Sequence, residues 1–148
     1  MNRPPHLLLI EAPYYVHIAA LLRQGAERAV AEAGATCEAV SVPGAFEIPA
    51  AIAFAARSVE RFDGYVALGC VIRGETTHYD HICAETARAL QDLAVRDGLA
   101  TGYGILTVEN EAQALARAAL DGRDKGGEAV RACLALIELK RRFQGCGN

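Results

Sequence analysis

The sequence predicts an α/β fold, a three-layer α/β/α sandwich on a central four-stranded parallel sheet, and three observations carry that expectation. Four short apolar runs bounded by breakers have the length and two-sided hydrophobicity of buried parallel strands. Between them the apolar spacing changes to the i, i+3, i+4, i+7 stripe of helices packed on a sheet. Strand and helix alternate throughout, which calls for right-handed crossovers that place helices on both faces. The 148 residues fit one domain, 1–148, with enough core to stand without disulfides or metal.

The first strand is predicted over His6 to Glu11, a continuous apolar run. Ile18, Leu21, Leu22, Gly25, Ala26 and Ala29 then share one helical face, and Gly34 supplies a C-terminal stop. Cys37 to Val42 reads as the second strand. Ile48 to Ala56 begins with Pro49 suited to a first helical turn, yet it is apolar around its whole circumference. A helix of that kind needs cover on every side. One sheet covers one face, so a second copy of the chain is the expected occupant of the other, with a helix sandwiched inside the monomer as the alternative.

Tyr65 to Ile72 is the third strand, and it stops abruptly at Arg73. The next residues, Gly74-Glu75-Thr76-Thr77-His78, bring a carboxylate, two hydroxyls and an imidazole to one strand end. Thr77 and Asp80 match the capping-box spacing of a helix start, whose free N–H groups suit an anion. Phosphate chemistry is the first expectation; a plain helix cap beside an exposed His78 is the alternative reading of these residues alone. Ile82, Cys83, Ala87, Leu90, Leu93 and Ala94 form the stripe of that helix, which ends before Gly98. Gly104 to Val108 is the fourth strand, Asn110 with Gln113 caps the next helix, and Val130, Cys133, Leu134 and Ile137 line the last. That last helix closes on Lys140 to Arg142, cations placed to favour its dipole.

Composition removes several function classes. Fifteen Lys and Arg against eighteen Asp and Glu, with a net charge of −3 and no basic stripe, argue against nucleic acid. No apolar segment reaches the roughly 20 residues of a membrane span, and Met1 to Pro5 lacks a secretory plan, so a cytosolic location is expected. Five cysteines without a C-x-x-C pair or zinc-finger histidines predict reduced core thiols and no structural metal.

Parallel sheets of this kind bind ligands beyond the carboxyl ends of their strands. Those ends carry Ala12-Pro13-Tyr14-Tyr15 after the first strand, Pro43-Gly44-Ala45-Phe46-Glu47 after the second, Arg73 to His78 after the third, and Thr107-Val108-Glu109-Asn110 after the fourth. Tyr14 reads equally as a stacking platform or a surface aromatic. Glu47, set in an apolar stretch, is expected to have a binding role because a carboxylate there is costly without a partner.

Val42-Pro43-Gly44-Ala45-Phe46-Glu47-Ile48-Pro49, followed by Leu68-Gly69-Cys70-Val71-Ile72-Arg73-Gly74-Glu75-Thr76-Thr77-His78-Tyr79-Asp80, resembles the lumazine synthase family of riboflavin biosynthesis. Gly104-Ile105-Leu106-Thr107, Glu109-Asn110, Gln113-Ala114 and Lys125-Gly126 extend the resemblance across nearly the whole chain. It implies a flavodoxin-like topology and the condensation of 5-amino-6-(D-ribitylamino)uracil with 3,4-dihydroxy-2-butanone 4-phosphate to 6,7-dimethyl-8-ribityllumazine. Small-molecule substrates alone are implied, with no cofactor and no metal. The family pattern implies proton shuttling at His78 and a pyrimidine and ribityl site at Tyr14, Ala45, Phe46, Glu47, Cys70, Val71, Ile72, Tyr103 and Lys125. It places phosphate at Gly74, Glu75, Thr76, Thr77 and Arg117. Tyr103 matches an aromatic that relatives contribute from an adjacent subunit, so a homopentamer with active sites across interfaces is implied.

Some positions depart from the pattern. Pro13 stands where many relatives carry a basic residue, Tyr14 replaces Phe or Trp, and Tyr103 replaces Phe. Ala119 to Asp124 differs from the sequence typical of shell-forming members, and the N-terminal extension of many relatives is nearly absent. A free pentamer is therefore expected rather than a sixty-subunit shell. A flavin- or lumazine-binding protein without catalysis and a shell-forming paralogue are the alternatives.

Overall fold

A computed structural model of the chain describes residues 3–145. The element order is β1 (His6–Glu11), α1 (Val16–Glu32), β2 (Thr36–Ser41), α2 (Ile48–Ala56) preceded by a 3-10 turn at Ala45–Glu47, β3 (Gly64–Ile72), α3 (His78–Asp97), β4 (Thr101–Val108), α4 (Glu111–Ala118) and α5 (Lys125–Phe143). All strand pairs are parallel, in the order β2-β1-β3-β4. The three-layer sandwich is thus as expected. β2 begins and ends one residue earlier than its apolar pattern indicates, and β4 begins at Thr101 rather than Gly104. Gly102 hid that extension: in a strand it reads as a breaker, but here it lets the Ala129 carbonyl of α5 rest on the sheet.

Alternation along the strands divides the core. Leu7, Leu9, Val66, Leu68, Leu106 and Val108 face α1, α4 and α5. Leu8, Ile10, Tyr65, Ala67 and Ile105 face α2 and α3. The first side is well covered: Ile18, Leu22, Ala26, Ala29, Val130, Cys133 and Ile137 are all buried there. The second is thin. In α3 only Thr86 and Leu90 are buried, so most of the predicted stripe is half-covered or open, Ala87 included. In α2 only Ile48 and Ile52 are buried, and Phe54 is 72% exposed. The circumferential hydrophobicity of α2 is therefore not satisfied within one chain.

Helix ends follow their chemistry with one exception. Gly34 and Gly98 adopt left-handed backbone where α1 and α3 end, as their sequence positions predict. Asn110 Oδ1 accepts from Gln113 N at 2.9 Å, and Gln113 Oε1 accepts from Glu109 N at 2.8 Å, so the expected cap of α4 is made. The expected cap of α3 is not: Thr77 makes no side-chain cap bond. Asp80, its presumed partner, turns instead to Arg73 at 3.3 Å. An unanticipated cap appears at α5, where Asp124 accepts from Gly127 N while held in the left-handed region at φ 46°.

Reduced core thiols describe Cys133 alone, since Cys37, Cys70 and Cys83 are only half-buried. All four are free thiols, and Cys146 lies outside the described residues. Among the described residues no helix is long and apolar enough to cross a membrane.

Asp63 ties the start of β1 to α5. Its carboxylate accepts from Arg3 Nη1 and Nη2, each at 2.8 Å, and from His6 N at 2.8 Å, with Arg141 of α5 at 3.5 Å. Burial alone raises this carboxyl, but the His6 N–H, Arg3 and Arg141 outweigh it and hold the pKa below the usual range. A depressed folded-state pKa stabilises above the unfolded value of about 3.9 and loses that stabilisation as pH falls through the folded value. Asp63→Asn is expected to flatten the acid limb of the stability curve below about pH 4, measured by urea unfolding across pH.

Candidate active site

The chain winds from β1 to β2 on one side, then crosses back to β3 on the other, so strand order reverses between β1 and β3. Ligand clefts of parallel sheets form at that reversal, beyond the strands' carboxyl ends. A cleft of about 470 Å³ opens there. Tyr14 and Tyr15 line it after β1, Pro43 to Glu47 after β2, Cys70 to Ile72 from the end of β3, and His78 and Ile82 from α3.

Each wall has a local cause. Tyr14 stands 74% exposed at the rim and meets Tyr15 edge-to-face, with ring centroids 5.0 Å apart, so one π-face is free to stack on a planar ligand. The 3-10 turn buries Ala45 and throws Phe46 outward, 53% exposed, into the opening. Glu47 is also exposed, so its carboxylate is not desolvated as its apolar sequence neighbours predict, and it lines the cleft by position alone. Residues 70–72 are the least covered part of β3, where the strand runs beyond the helices.

His78 is the first residue of α3, and its N–H donates to Thr76 Oγ1 at 3.3 Å. Gly74, Glu75, Thr76 and Thr77 form the exposed loop that delivers it, next to the cleft rather than inside it. Of the first N–H groups of α3, His78 donates to Thr76 Oγ1 and Asp80 and His81 donate to Thr77 O, which leaves Tyr79 N–H as the donor in that turn open to an oxyanion. Cys70 also lines the cleft. Burial, with Glu111 adding to it, pushes its thiol up to about 11, so it stays protonated near neutrality.

Three expected site residues are not brought to this cleft within the chain. Tyr103, 46% exposed, sits under α3 in a separate hollow of about 300 Å³ with Ala87, Leu90 and Gln91. Arg117 lies on α4, its guanidinium donating to Gln113 O at 3.1 Å. Lys125 opens α5 and pairs with Glu128 at 2.8 Å. No Lys or Arg lines the cleft, and among the described residues no His/Cys/Asp/Glu group is arranged to hold a metal ion. Tyr15, Pro43 and Gly44, expected at these strand ends but given no role there, also line the cleft, and Ile82, expected only in the stripe of α3, joins them. Their signal was adjacency: each lies within one to four residues of one given a role.

The family profile described as 6,7-dimethyl-8-ribityllumazine synthase matches residues 4–141. The chain belongs to the lumazine synthase family. It is 52% identical over 143 residues to the 6,7-dimethyl-8-ribityllumazine synthase of Bartonella tribocorum, covering 97% of this chain and 95% of that one. The enzyme of that name from Agrobacterium fabrum is 53% identical over 145 residues, 95% and 98% of the two chains. 6,7-Dimethyl-8-ribityllumazine synthase 1 of Rhizobium meliloti is 54% identical over 145 residues, 95% of each. Both long motifs of the lumazine synthase resemblance converge on the cleft: Ala45 to Glu47 come from the first, Cys70 to Ile72 and His78 from the second.

Proposed function

We propose that the chain condenses 5-amino-6-(D-ribitylamino)uracil with 3,4-dihydroxy-2-butanone 4-phosphate, giving 6,7-dimethyl-8-ribityllumazine, phosphate and water. The observation that carries this reading is the convergence of Tyr14, Phe46, Glu47, the Cys70–Ile72 backbone and His78 on one cleft at the strand reversal. Membership in the family supports the reaction class.

The residues fit the chemistry in order. Tyr14 and Phe46 offer aromatic faces to the pyrimidine, and the terminal β3 backbone offers N–H and C=O groups to its edges. Glu47 accepts hydrogen bonds from ribityl hydroxyls. The amine of the pyrimidine adds to the butanone carbonyl and loses water to form an imine. Removal of a proton beside that imine expels phosphate, and the second amine closes the ring with loss of water. Every step moves protons near neutral pH, which suits the His78 imidazole. Holding two substrates in register contributes much of the acceleration, up to about 7–11 kcal/mol in intramolecular models.

Phosphate settles against Gly74, Glu75, Thr76 and Thr77 and the start of α3. Because the cleft has no cation of its own, Arg117 of a second copy supplies the guanidinium, and Tyr103 and Lys125 approach from that copy in the same way. The under-covered α2 and α3 face supports assembly, with Phe54 and Val95 each 72% exposed. We assign a homopentamer, by the family resemblance, acting in the cytosol without a cofactor. A mass measurement near five chains is expected; sixty would overturn the free pentamer.

The direct test mixes both substrates and follows lumazine fluorescence. His78→Ala is expected to slow turnover about 10²-fold without abolishing it, because positioning survives loss of the shuttle. An unchanged rate would remove His78 from the shuttle. A compartment-sized particle with no fluorescence would favour the shell-forming alternative.

A further inference from the structure

We infer that Arg73 is a positioning residue, a single guanidinium that clips both ends of the Gly74–Thr77 loop and so fixes where His78 and the phosphate-facing backbone stand. The inference rests on the assignment of the cleft given above. Arg73 closes β3, and its N–H donates to Val108 O at 2.9 Å. Its Nε donates to both carboxylate oxygens of Glu109, at 2.9 and 3.1 Å, which anchors the loop's first end to the end of β4. Its Nη1 reaches Asp80 at 3.3 Å, and its central carbon lies 4.3 Å over the Tyr79 ring, which holds the far end. Asp80 and Tyr79 belong to the first turn of α3, immediately after His78.

This arrangement, with no Thr77 side-chain cap, is what ties the loop to the first turn of α3. Between the clipped ends the loop has little of its own: residues 74–77 are exposed, and a side chain built at Gly74 would meet nothing within 4 Å. Its shape is therefore set from outside. Arg73 is 41% exposed, with Glu109 at 55% and Asp80 at 58%, and ion pairs so open to water contribute little to stability. Position is another matter, since misplacement of a reacting group by about 1 Å costs as much as 10²-fold in rate. Nor is Arg73 a receptor for phosphate, because two carboxylates engage it and leave the trio net negative. Planar, forked donation to two partners and stacking on Tyr79 are properties of arginine that lysine lacks.

The test compares Arg73→Gln, Arg73→Lys, Asp80→Asn and Glu109→Gln in the full chain, varying each substrate separately. Each variant is expected to raise KM for the butanone phosphate about five- to tenfold while KM for the pyrimidine stays within about twofold. Lysine is expected not to rescue, and Asp80→Asn added to Arg73→Gln is expected to cost little more, because both remove the same clip. If Arg73 instead grips phosphate directly, Asp80→Asn frees it, and KM and the inhibition constant of inorganic phosphate fall; that sign overturns the inference. Unchanged constants in all four variants overturn it as well. A wild-type chain that does not turn over the pair refutes the cleft assignment separately. The inference is then read from the His78 imidazole NMR signals, which are expected to move alike in Arg73→Gln and Asp80→Asn, and stationary signals would end it.

Discussion

If Arg117 of a second copy holds the phosphate as proposed, Arg117→Ala is expected to raise KM for the butanone phosphate about 10²-fold, since the chain's own cleft lining has no cation to replace a charge-assisted bidentate contact. The magnitude corresponds to roughly 3 kcal/mol, the upper end for a hydrogen bond to a charged group. The effect on pyrimidine binding should be small. A sharper consequence follows from where Arg117 stands. It sits on α4, packed on the α1 and α5 side, while His78 lines the cleft from α3. If one copy supplies the imidazole and another the guanidinium, then Arg117→Ala and His78→Ala chains, each impaired alone, regain activity when refolded together. In mixed assemblies of the proposed pentamer some interfaces would unite an intact His78 with an intact Arg117. Measured turnover above the sum of the two separate preparations is the expected outcome; strict additivity would place both groups in one chain's site.

Gly126→Val is expected to destabilise the fold strongly. The α-carbon of Gly126 packs directly on the backbone of Leu22, and a methyl group added there overlaps the Leu22 carbonyl. Backbone cannot rotate away as a side chain can. Gly25 faces Asp124 across the same seam, so α1 and α5 meet through two glycines. Replacing a helical glycine normally gains up to about 1 kcal/mol of propensity. Overpacking costs about 1–3 kcal/mol and more where backbone must move, so the loss wins. For a domain of this size each kcal/mol shifts Tm by about 2–4 °C. A drop of about 5 °C or more is expected in a thermal scan, and Gly34→Ala serves as a comparison, with its strain from φ 69° but open space around it. If Gly126→Val melts with the native chain, the α1–α5 seam is looser than its backbone contacts require.

The site was legible in sequence to the extent that it is local. Cys70 to Ile72 and His78 lie on one strand and the helix that follows it, and a run that stops at Arg73 announces the loop. Convergence of that loop with Tyr14 and Ala45 to Glu47 followed from the rule that parallel strands present their carboxyl ends together. Where a reading depended on competition between partners, it went astray. The Thr77 and Asp80 spacing is that of a capping box, yet Asp80 lies within reach of Arg73, and the guanidinium takes it. Glu47 stands in an apolar stretch of sequence, but the 3-10 turn carries it to the surface.

What the sequence determined by itself was the succession of elements, the caps of α1, α3 and α4 that rest on glycine or Asn110, and the chemistry gathered at the strand ends. These follow from interactions within a few residues along the chain, where periodicity and side-chain type suffice. Tertiary structure decided the rest: the β2-β1-β3-β4 order that places the cleft between β1 and β3, the reach of β4 to Thr101 beneath Ala129, and the partner chosen by Asp80. It also decided that Tyr103, Arg117 and Lys125 stand apart from the cleft of their own chain. Each of those outcomes depends on which distant groups come into contact, and distances across the fold are not written in the spacing of residues along it.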